Sequence, residues 1–281
     1  MILLTGANGV VGYSLQTMLE AGGYLAVSRT AGQQGLQWDL ESESNIDLPA
    51  LTKLIHCAPI WLLPAHLQIL YDAGVRQFIV FSSTSVVSKT ASKNHAEQQL
   101  VKRLSDAEQA IKQFCSRLEV SLTILRPSLI YGYGRDQNIS HIASFINKFG
   151  FAVVAGKAKG LRQPVHADDL AKVCISLIDN SQPGHKTYTL AGADVITYRA
   201  MVEVIFSKLN KRSVIIGIPL WCLRLALSLA SKVGRFDYTA DMADRMQQNL
   251  VYDNQAAIDE LNYQPSAFLD QPQRDLPDYV G

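Results

Sequence analysis

The sequence has few features of a metalloprotein, a disulfide-stabilised fold or a nucleic-acid-binding protein. Its four cysteines, at positions 57, 115, 174 and 222, lie far apart and form no Cys-x-x-Cys pair. This spacing argues against a zinc site and favours buried thiols in a reducing compartment. The 26 basic and 25 acidic residues give a net charge of +1 without a long run of either sign. We therefore expect no metal and no nucleic-acid partner.

Long uninterrupted apolar runs are also missing. The most apolar stretch, residues 214–233, is broken by Pro219 and two basic residues, so it is too short to span a bilayer. Its Leu and Ala content and Gly234 just past its end favour a buried helix. Alternating apolar residues would also fit a strand, and a helix at a membrane surface or a dimer interface is a further alternative. Met1 is followed at once by ILLTG, which leaves no room for a secretion signal, so we expect a cytoplasmic protein without a membrane span.

The composition, 48% apolar and 18% charged, is that of an ordinary globular protein, and the first thirty residues carry a specific pattern. A short apolar strand leads into a turn with Gly6, Gly9 and Gly12, and a helical pattern follows. Glycines there let the backbone approach a pyrophosphate, whose charge the N–H groups and dipole of the helix start would stabilise. A tight turn alone would also use glycine. The position directly after a strand predicts a βαβ unit that binds a dinucleotide.

The second predicted strand, YLAVSRT, indicates which dinucleotide. An Asp or Glu at its end would bind the ribose 2′-hydroxyl, but Ser28 and Arg29 stand there instead. A guanidinium suits a 2′-phosphate, so this strand end favours NADP as the cofactor, with NAD possible. The alternative is that Arg29 is a solvated surface residue.

Further β-rich segments separated by helical patterns predict a doubly wound parallel sheet. In chain order the motifs are TGANGVVG, WDL, IHCA, FSSTS, LRPSLIYG, RQPVHADDLA and VYDNQAAIDELNYQP. Their order resembles the extended branch of the short-chain dehydrogenase/reductase superfamily, most closely the nucleotide-sugar epimerases and dehydratases. The resemblance implies an α/β protein with a Rossmann-type doubly wound parallel sheet and a smaller, mostly helical C-terminal substrate domain.

The resemblance also implies roles for particular residues. The cofactor's pyrophosphate would lie against Gly6, Asn8, Gly9, Val10 and Gly12. The adenine would contact Asp39 and Leu40, and the nicotinamide would lie near Ala58, Ser83 and Pro127. Arg162 would bind the diphosphate of a nucleotide sugar, since a guanidinium suits that oxyanion cluster, and Asn138 and Arg135 are further candidate substrate contacts. Asp168 and Asp169 are expected to cap and pair at a helix start rather than to react.

One element of the resemblance is missing. Active members of the superfamily carry Tyr-x-x-x-Lys on the helix after the fifth strand, where the lysine lowers the tyrosine pKa. Aligning Glu108 with the family's helix glutamate puts Leu100 and Leu104 at those positions, and their spacing predicts a packing face. A shorter register that aligns Lys93 with the lysine puts Lys89 at the tyrosine. Candidate replacements are Ser83, Tyr131, Tyr133, Lys89 and Lys93, although each of these has a structural or solvent-exposed alternative.

These patterns divide the chain into a nucleotide half and a substrate half. We expect an NAD(P)-binding domain over residues 1–130, with returning segments at about 161–192, and a substrate part over 131–281, mainly 131–160 and 193–281. The leading hypothesis is an NADP-binding protein that transfers hydride at a carbon of a small-molecule substrate, possibly a nucleotide sugar, with an atypical proton donor. The alternatives are a one-way NADPH reductase and a non-catalytic NADP(H)-binding sensor or assembly protein. A homodimer is possible.

Overall fold

The structure is a computed structural model that describes residues 1–29, 35–42, 46–90, 94–179, 184–223 and 240–277. The chain forms two compact units. Unit 1 comprises Met1–Ser128, Ala167–Leu190 and Asp253–Gln264, and unit 2 comprises Leu129–His166, Ala191–Tyr252 and Pro265–Gly281.

The strands of the described residues, in chain order, are β1 (Ile2–Thr5), β2 (Tyr24–Ser28), β3 (Gly35–Gln37), β4 (Lys53–His56), β5 (Gln77–Phe81), β6 (Ser121–Pro127), β7 (Leu129–Tyr131), β8 (Ala152–Ala155), β9 (Leu161–Arg162), β10 (Pro164–His166), β11 (His185–Leu190), β12 (Ile196–Thr197) and β13 (Ile215–Ile218). The helices are α1 (Val10–Met18), α2 (Leu67–Asp72), α3 (Ser85–Ser88), α4 (His95–Arg117), α5 (Ile139–Phe149), α6 (Ala167–Asp179), α7 (Tyr198–Lys208), α8 (Ala240–Arg245), α9 (Gln255–Leu261) and α10 (Pro272–Asp275). Two 3₁₀ turns cover Ile60–Leu62 and Pro64–His66.

Unit 1 is built on a seven-stranded sheet in the order β11-β6-β5-β4-β1-β2-β3. Every neighbouring pair of strands is parallel. The chain runs outward from β1 through β2 to β3, then returns to β4 on the other side of β1, so the order reverses between β1 and β4. This topology confirms the predicted Rossmann-type sheet, and such folds bind ligands at the carboxyl ends of the strands beside the reversal.

The apolar pattern of unit 1 follows from this topology. All five residues of β5 are buried, because helices cover both faces of a parallel sheet. The longest helix, α4, begins at His95 because the side chain of Asn94 accepts hydrogen bonds from the N–H groups of Ala96 and Glu97. Its buried residues include Leu104 and Ile111, which join the core beneath the sheet.

The described part of unit 2 contains three small two-stranded sheets that pair β7 with β10, β9 with β12, and β8 with β13. Helices α5 and α7 pack on each other and contribute Ile146, Val202 and Phe206 to its core, which also holds Tyr131. Gly150 ends α5 in the left-handed conformation, as expected of a helix C-terminus. Within the described ranges, no helix has both the length and the apolarity needed to cross a bilayer.

The predicted helix over residues 214–233 is wrong at its start. Ile215–Ile218 form the strand β13, which pairs in parallel with β8, and residues 220–223 are helical. The first residues form a strand because β8 offers an unpaired edge, which local helix propensity does not reveal, whereas residues 220–223 keep the predicted helix. Residues 224–233 lie outside the described ranges.

The unit boundaries also differ from the predicted division at two segments. Residues 161–166, which the prediction counted among the returning segments of the NAD(P)-binding domain, lie in unit 2. Residues 253–264, which the prediction placed in the substrate part, lie in unit 1. Helix α9 packs there on β11, where Glu260 accepts a hydrogen bond from the Tyr188 hydroxyl at 2.8 Å and pairs with Lys186 at 3.0 Å.

Candidate functional site

The glycine turn between β1 and α1 is packed too closely for side chains at two of its glycines. Gly6 has a φ of +71°, and a Cβ there would lie 2.5 Å from the backbone nitrogen of Ala58. A Cβ on Gly12 would lie 2.3 Å from the carbonyl oxygen of Gly6. The turn therefore rests directly on the backbone that follows β4, at the point where the strand order reverses.

The other side of the turn is open. Asn8 and Gly9 are exposed, and Gly9 is the N-cap of α1 without a capping side chain. A Cβ on Gly9 would meet only the Gly6 carbonyl oxygen, at 3.3 Å. The hydroxyl of Ser14 holds α1 in place by donating to Asp168 on α6 at 2.6 Å. An uncapped helix start beside an open backbone fits the pyrophosphate of a dinucleotide, because its N–H groups and positive dipole end can accept an anion.

A buried histidine ties β1 to β4 beside this turn. Nε2 of His56 lies 3.3 Å from the carbonyl oxygen of Pro59, which can only accept, so Nε2 carries the hydrogen. Nδ1 then accepts the hydrogen bond from the Thr5 hydroxyl at 2.7 Å. Burial lowers the pKa of His56 to about 4, so the ring is neutral near pH 7. The sequence motif IHCA contained this residue, but its role depends on the pairing of two strands and was not predicted.

The predicted adenosine contacts lie after β2 and β3. The Arg29 side chain is exposed, and its carbonyl accepts from the Gln37 amide at 3.1 Å. Asp39 is exposed and accepts from the backbone N–H of Glu41 at 3.0 Å. Leu40 packs against the core, and its carbonyl oxygen is 2.9 Å from Nε2 of His66. Arg29 and Asp39 are therefore accessible to a ligand, whereas the Leu40 side chain is partly buried against the core.

The predicted nicotinamide contacts follow neighbouring strands. The Ser83 hydroxyl, after β5, accepts from the backbone N–H of Ser85 at 3.1 Å, where α3 begins. Thr84 donates from its backbone N–H at 3.2 Å and its hydroxyl at 3.1 Å to the carbonyl of Pro127. These bonds join the end of β5 to the end of β6. Since the strands are parallel, Gly6, Ala58, Ser83 and Pro127 all lie at the same edge of the sheet.

A buried ion pair fixes α4 against this edge. Nε of Arg126 on β6 donates to Oε1 of Glu108 at 2.9 Å, and Nη2 donates to Oε2. The hydroxyl of Ser82 donates to Oε1 of Glu108 at 2.6 Å. Burial alone would raise the pKa of Glu108, but the hydrogen bonds from Arg126 and Ser82 and the charges of Arg126 and Lys112 lower it overall. Glu108 is therefore ionised and structural.

The two leucines at the predicted Tyr and Lys positions pack inward. Leu104, one turn before Glu108, is buried in the core of unit 1, and Leu100, a turn earlier, is partly buried against it. The predicted packing face is thus confirmed. Lys89, in the shorter register, forms a partly buried ion pair with Glu97 at 3.1 Å. Lys93 lies outside the described residues.

Tyr131, a predicted catalytic residue, lies in the core of unit 2. Its side chain is 2% exposed, and its hydroxyl accepts from the backbone N–H of Leu269 at 3.0 Å and donates to the carbonyl of Ala267 at 3.4 Å. Its ring meets that of His166 edge to face, with centroids 5.1 Å apart. This environment corresponds to the packing alternative. Tyr133 is half-buried, has a φ of +59° and lies beneath the guanidinium of Arg274.

Arg162, the predicted diphosphate contact, is buried in unit 2. Its Nη1 donates to the carbonyls of Leu161 and Gln248 at 2.7 and 2.8 Å, and Nη2 donates to the carbonyl of Arg245. Burial lowers the pKa of the guanidinium. The side chain thus binds the backbone that follows α8, a partner more than eighty residues away that the local motif RQPVH does not indicate.

Asn138, the second predicted substrate contact, is exposed just before α5. The carboxylate that caps this helix start is Asp136, which the prediction missed. Its Oδ1 accepts from the N–H groups of Asn138, Ile139 and Ser140, and its Oδ2 accepts from the Ser140 hydroxyl at 2.6 Å. Arg135 is exposed beside it.

The aspartates of the HADDLA motif start α6, as expected. Asp168 accepts from Ser14, and Asp169 is buried 3.6 Å from Nζ of Lys172. Asp169 also borders a cavity of about 300 Å³ on unit 1, which is lined by Asp169, Lys172, Val173, Ser176, Leu261, Asn262, Tyr263 and Gln264. Burial and the nearby charge of Asp169 raise the pKa of Tyr263, so the phenol stays protonated. None of the predicted cofactor residues lines this cavity.

Comparison with known proteins agrees with the parallel sheet. Residues 64–191 match the NAD dependent epimerase/dehydratase family, which confirms the predicted resemblance. UDP-glucose 4-epimerase of Vibrio cholerae is 23% identical over 314 aligned positions, covering 96% of this chain and 92% of that protein.

Solved structures share the fold over almost the whole chain. UDP-glucuronic acid 4-epimerase from Bacillus cereus, in complex with UDP-glucuronic acid and NAD, superposes with a TM-score of 0.71 at 16% identity and covers 99% of this chain and 98% of its own. MoeE5, in complex with UDP-glucose and NAD, has a TM-score of 0.72 at 17% identity and covers 99% and 96%. At such identities the likeness establishes the fold.

Proposed function

We propose that the chain is a member of the NAD dependent epimerase/dehydratase family that binds NAD(P) at the glycine turn of unit 1. The glycine turn is the observation that most supports this proposal. Gly6 and Gly12 are packed against backbone, and Gly9 leaves the start of α1 open where the strand order of the sheet reverses. The family match and the epimerases of similar fold support the same assignment. The resulting function is hydride transfer at a carbon of a small molecule, most simply a nucleotide sugar.

The cofactor would accept a hydride from the substrate carbon and return it. The chain's own residues would bind the cofactor and orient it toward the substrate. The backbone around Gly9 and the dipole of α1 would hold the pyrophosphate. Arg29 would contact the adenosine ribose, where its guanidinium favours a 2′-phosphate and therefore NADP, while the related structures contain NAD. NAD is the better-supported cofactor, and Arg29 makes NADP the alternative to measure.

The proton donor is the atypical part of this proposal. Ser83 is our candidate for the donor to the substrate oxygen when the hydride returns, because its hydroxyl accepts the Ser85 N–H through a lone pair and keeps its own hydrogen. The proton released from the substrate hydroxyl when the hydride leaves would pass to solvent water. Leu100 and Leu104 offer no titratable group, and the Tyr131 hydroxyl is bound inside unit 2. Lys89 is a second candidate, held by Glu97 near the end of α3.

We place the protein in the cytoplasm, as a monomer or a homodimer.

A product assay tests the proposal. The purified protein, with NAD or NADP, would be incubated with UDP-, GDP- and dTDP-sugars, and the products separated by chromatography and identified by NMR. Interconversion of one sugar, lost in Gly9→Asp and retained in Gly9→Asn, supports the proposal. If both variants convert the sugar as fast as the wild type, the cofactor does not bind at the glycine turn.

A second candidate function is cofactor binding without turnover. Two observations favour it. Leu104 is buried at a position where the resemblance expects a residue of the catalytic pair. Arg162, which the resemblance expects to bind the substrate diphosphate, instead donates to three backbone carbonyls. Saturable binding of NAD(H) or NADP(H) with no product from any sugar would favour it. Consumption of NADPH with simple carbonyl compounds would instead identify a one-way reductase.

A further inference from the structure

Acidic residues are absent from two long stretches of unit 2. Residues 137–166 and 204–236 contain no Asp or Glu, although the chain as a whole carries 25 acids against 26 bases. The described parts of these stretches hold the basic residues Lys148, Lys157, Lys159, Arg162, Lys208, Lys211 and Arg212. Positive charge is therefore concentrated in two segments far apart in sequence.

The fold brings these two segments together. Strand β8 of the first pairs in parallel with β13 of the second, and α5 packs on α7. The backbone N–H of Ala152 donates to the carbonyl of Val214 at 2.9 Å, and Nζ of Lys211 donates to the carbonyl of Asn147 at the same distance. The end of α5 and the start of both strands thus form one local surface.

This surface is also apolar. Ala152 and Ile215, which are register partners, face the core of unit 2, so the alternation of strands turns Phe151, Val214 and Ile216 to the opposite side. Val214 is 42% exposed, Ile216 45% and the neighbouring Phe149 48%. The rings of Phe149 and Phe151 lie 6.3 Å apart, and Nζ of Lys148 lies 5.2 Å from the Phe149 ring.

We propose that this surface, formed by Lys148, Phe149, Phe151, Val214 and Ile216 with the exposed Arg212 two residues before Val214, and here called the basic apolar face, binds the surface of an anionic lipid membrane. Lys148 and Arg212 would contact lipid phosphates, while the phenylalanine and aliphatic side chains would enter the boundary between headgroups and acyl chains. This is peripheral binding, which needs no spanning helix. Proteins expose few contiguous large apolar side chains unless they bind something.

Charge decides between a membrane and a second copy of the chain. In a two-fold symmetric dimer the same face would meet itself and oppose Lys148 and Arg212 with like charges. An anionic lipid surface complements them instead, and the cytoplasmic leaflet carries such lipids.

Vesicle co-sedimentation of the full chain tests the proposal. We expect binding to vesicles of equimolar phosphatidylcholine and phosphatidylglycerol, little binding to phosphatidylcholine alone, and release at high salt. The double variant Lys148→Glu, Arg212→Glu should lower the partition coefficient by about 25-fold or more, at about fivefold for each basic residue lost. The double variant Phe149→Ser, Ile216→Ser should lower it as well.

Matched controls lie on unit 1. Lys102→Glu changes an exposed lysine there, and Ile258→Ser changes an apolar side chain that is 39% exposed, so both should sediment like the wild type. Circular dichroism and thermal melting would show that every variant folds. Failure of the folded wild type to bind anionic vesicles, or binding unchanged by both double variants, would overturn the proposal. A dimer that these double variants dissociate would also overturn it and assign the face to a second copy.

Discussion

Arg126 and Glu108 form a two-bond ion pair between β6 and α4, with Nε and Oε1 2.9 Å apart. Because this pair fixes the register of α4, Leu104 and Leu100 follow on the same helical face, one and two turns earlier. Both pack into the core of unit 1. In the register that aligns Glu108 with the family's helix glutamate, the two positions expected of a tyrosine and a lysine therefore belong to an apolar packing surface.

The ion pair should contribute strongly to stability. Glu108→Gln leaves the largely buried Arg126 without a counter-charge, so we expect the free energy of unfolding at pH 7 to fall by about 2–3 kcal/mol. Urea denaturation measures this change. Asp106→Asn, which breaks the exposed ion pair with Lys102, is the matched control and should cost less than about 1 kcal/mol. Equal, small effects of both variants would mean that the buried pair contributes no more than a surface pair.

The same pair should also make stability depend on acid. The pKa of Glu108 is lowered in the folded state, so its stabilisation is complete above the ordinary carboxyl pKa and is lost as the pH falls through the folded-state pKa. The difference in unfolding free energy between wild type and Glu108→Gln should therefore begin to shrink near the usual glutamate value of about pH 4.3 and shrink further at lower pH. A difference that stayed constant over this fall in pH would contradict the assigned ionisation.

His56 should dominate the pH dependence at milder acidity. Its folded-state pKa is about 4, whereas in the unfolded chain it is near the ordinary value, so the unfolded state takes up a proton first as the pH falls. Stability should decline from about pH 6.5 to about pH 4, by up to about 3 kcal/mol. His56→Gln should flatten this slope, while His95→Gln, an exposed control on the first turn of α4, should keep it. An unchanged slope in His56→Gln would show that another group titrates.

Substitutions of Tyr131 and Ser83 should distinguish a structural residue from a catalytic one. Tyr131→Phe leaves the backbone N–H of Leu269 without its acceptor, so we expect a stability loss of about 1–2 kcal/mol and an unchanged kcat. Ser83→Ala should lower kcat about 100-fold with little loss of cofactor affinity, as expected for a lost proton donor. Steady-state kinetics and thermal melts on the sugar identified by the product assay check both. The opposite pattern would return the catalytic role to Tyr131.

Arg29 should set the preference between the two dinucleotides. Arg29→Ala removes the guanidinium at the end of β2 and should weaken NADP binding about tenfold while NAD binding changes little. Fluorescence titration with NADPH and NADH measures both constants. Lys102→Ala, another exposed cation on unit 1, is the control. Equal losses for both dinucleotides, or none, would mean that Arg29 is a solvated surface residue.

The sequence indicated the cofactor half well because its signals are local. Gly6, Gly9 and Gly12 act within one turn, and the apolar runs that became β4, β5 and β6 needed only their own composition to be recognised. The packing of Leu100 and Leu104 followed from helical spacing alone.

The remaining features depend on partners distant in sequence. Arg162 looked like a free cation in its motif, but carbonyls at 245 and 248 bind it. Ile215–Ile218 became a strand because β8 offered an edge, and α9 joined unit 1 through Glu260. Tyr131 was predicted at a substrate site from its position after β6, yet its hydroxyl is bound by residues 267 and 269. None of these contacts can be read from neighbouring residues.

The central claim, that a dinucleotide binds at the glycine turn, is tested most directly by titrating NADH and NADPH into the wild type, Gly9→Asp and Gly9→Asn. A Cβ at Gly9 would lie 3.3 Å from the Gly6 carbonyl oxygen, so a shift of a few tenths of an ångström admits a side chain, and since Asp and Asn can both cap α1, both variants should fold. Only Asp places a negative charge where the pyrophosphate would lie. We predict that the wild type binds a dinucleotide, that Asn weakens binding modestly, and that Asp weakens it by about a further tenfold or more. No binding by the folded wild type, or equal affinities for Asp and Asn, would contradict the account.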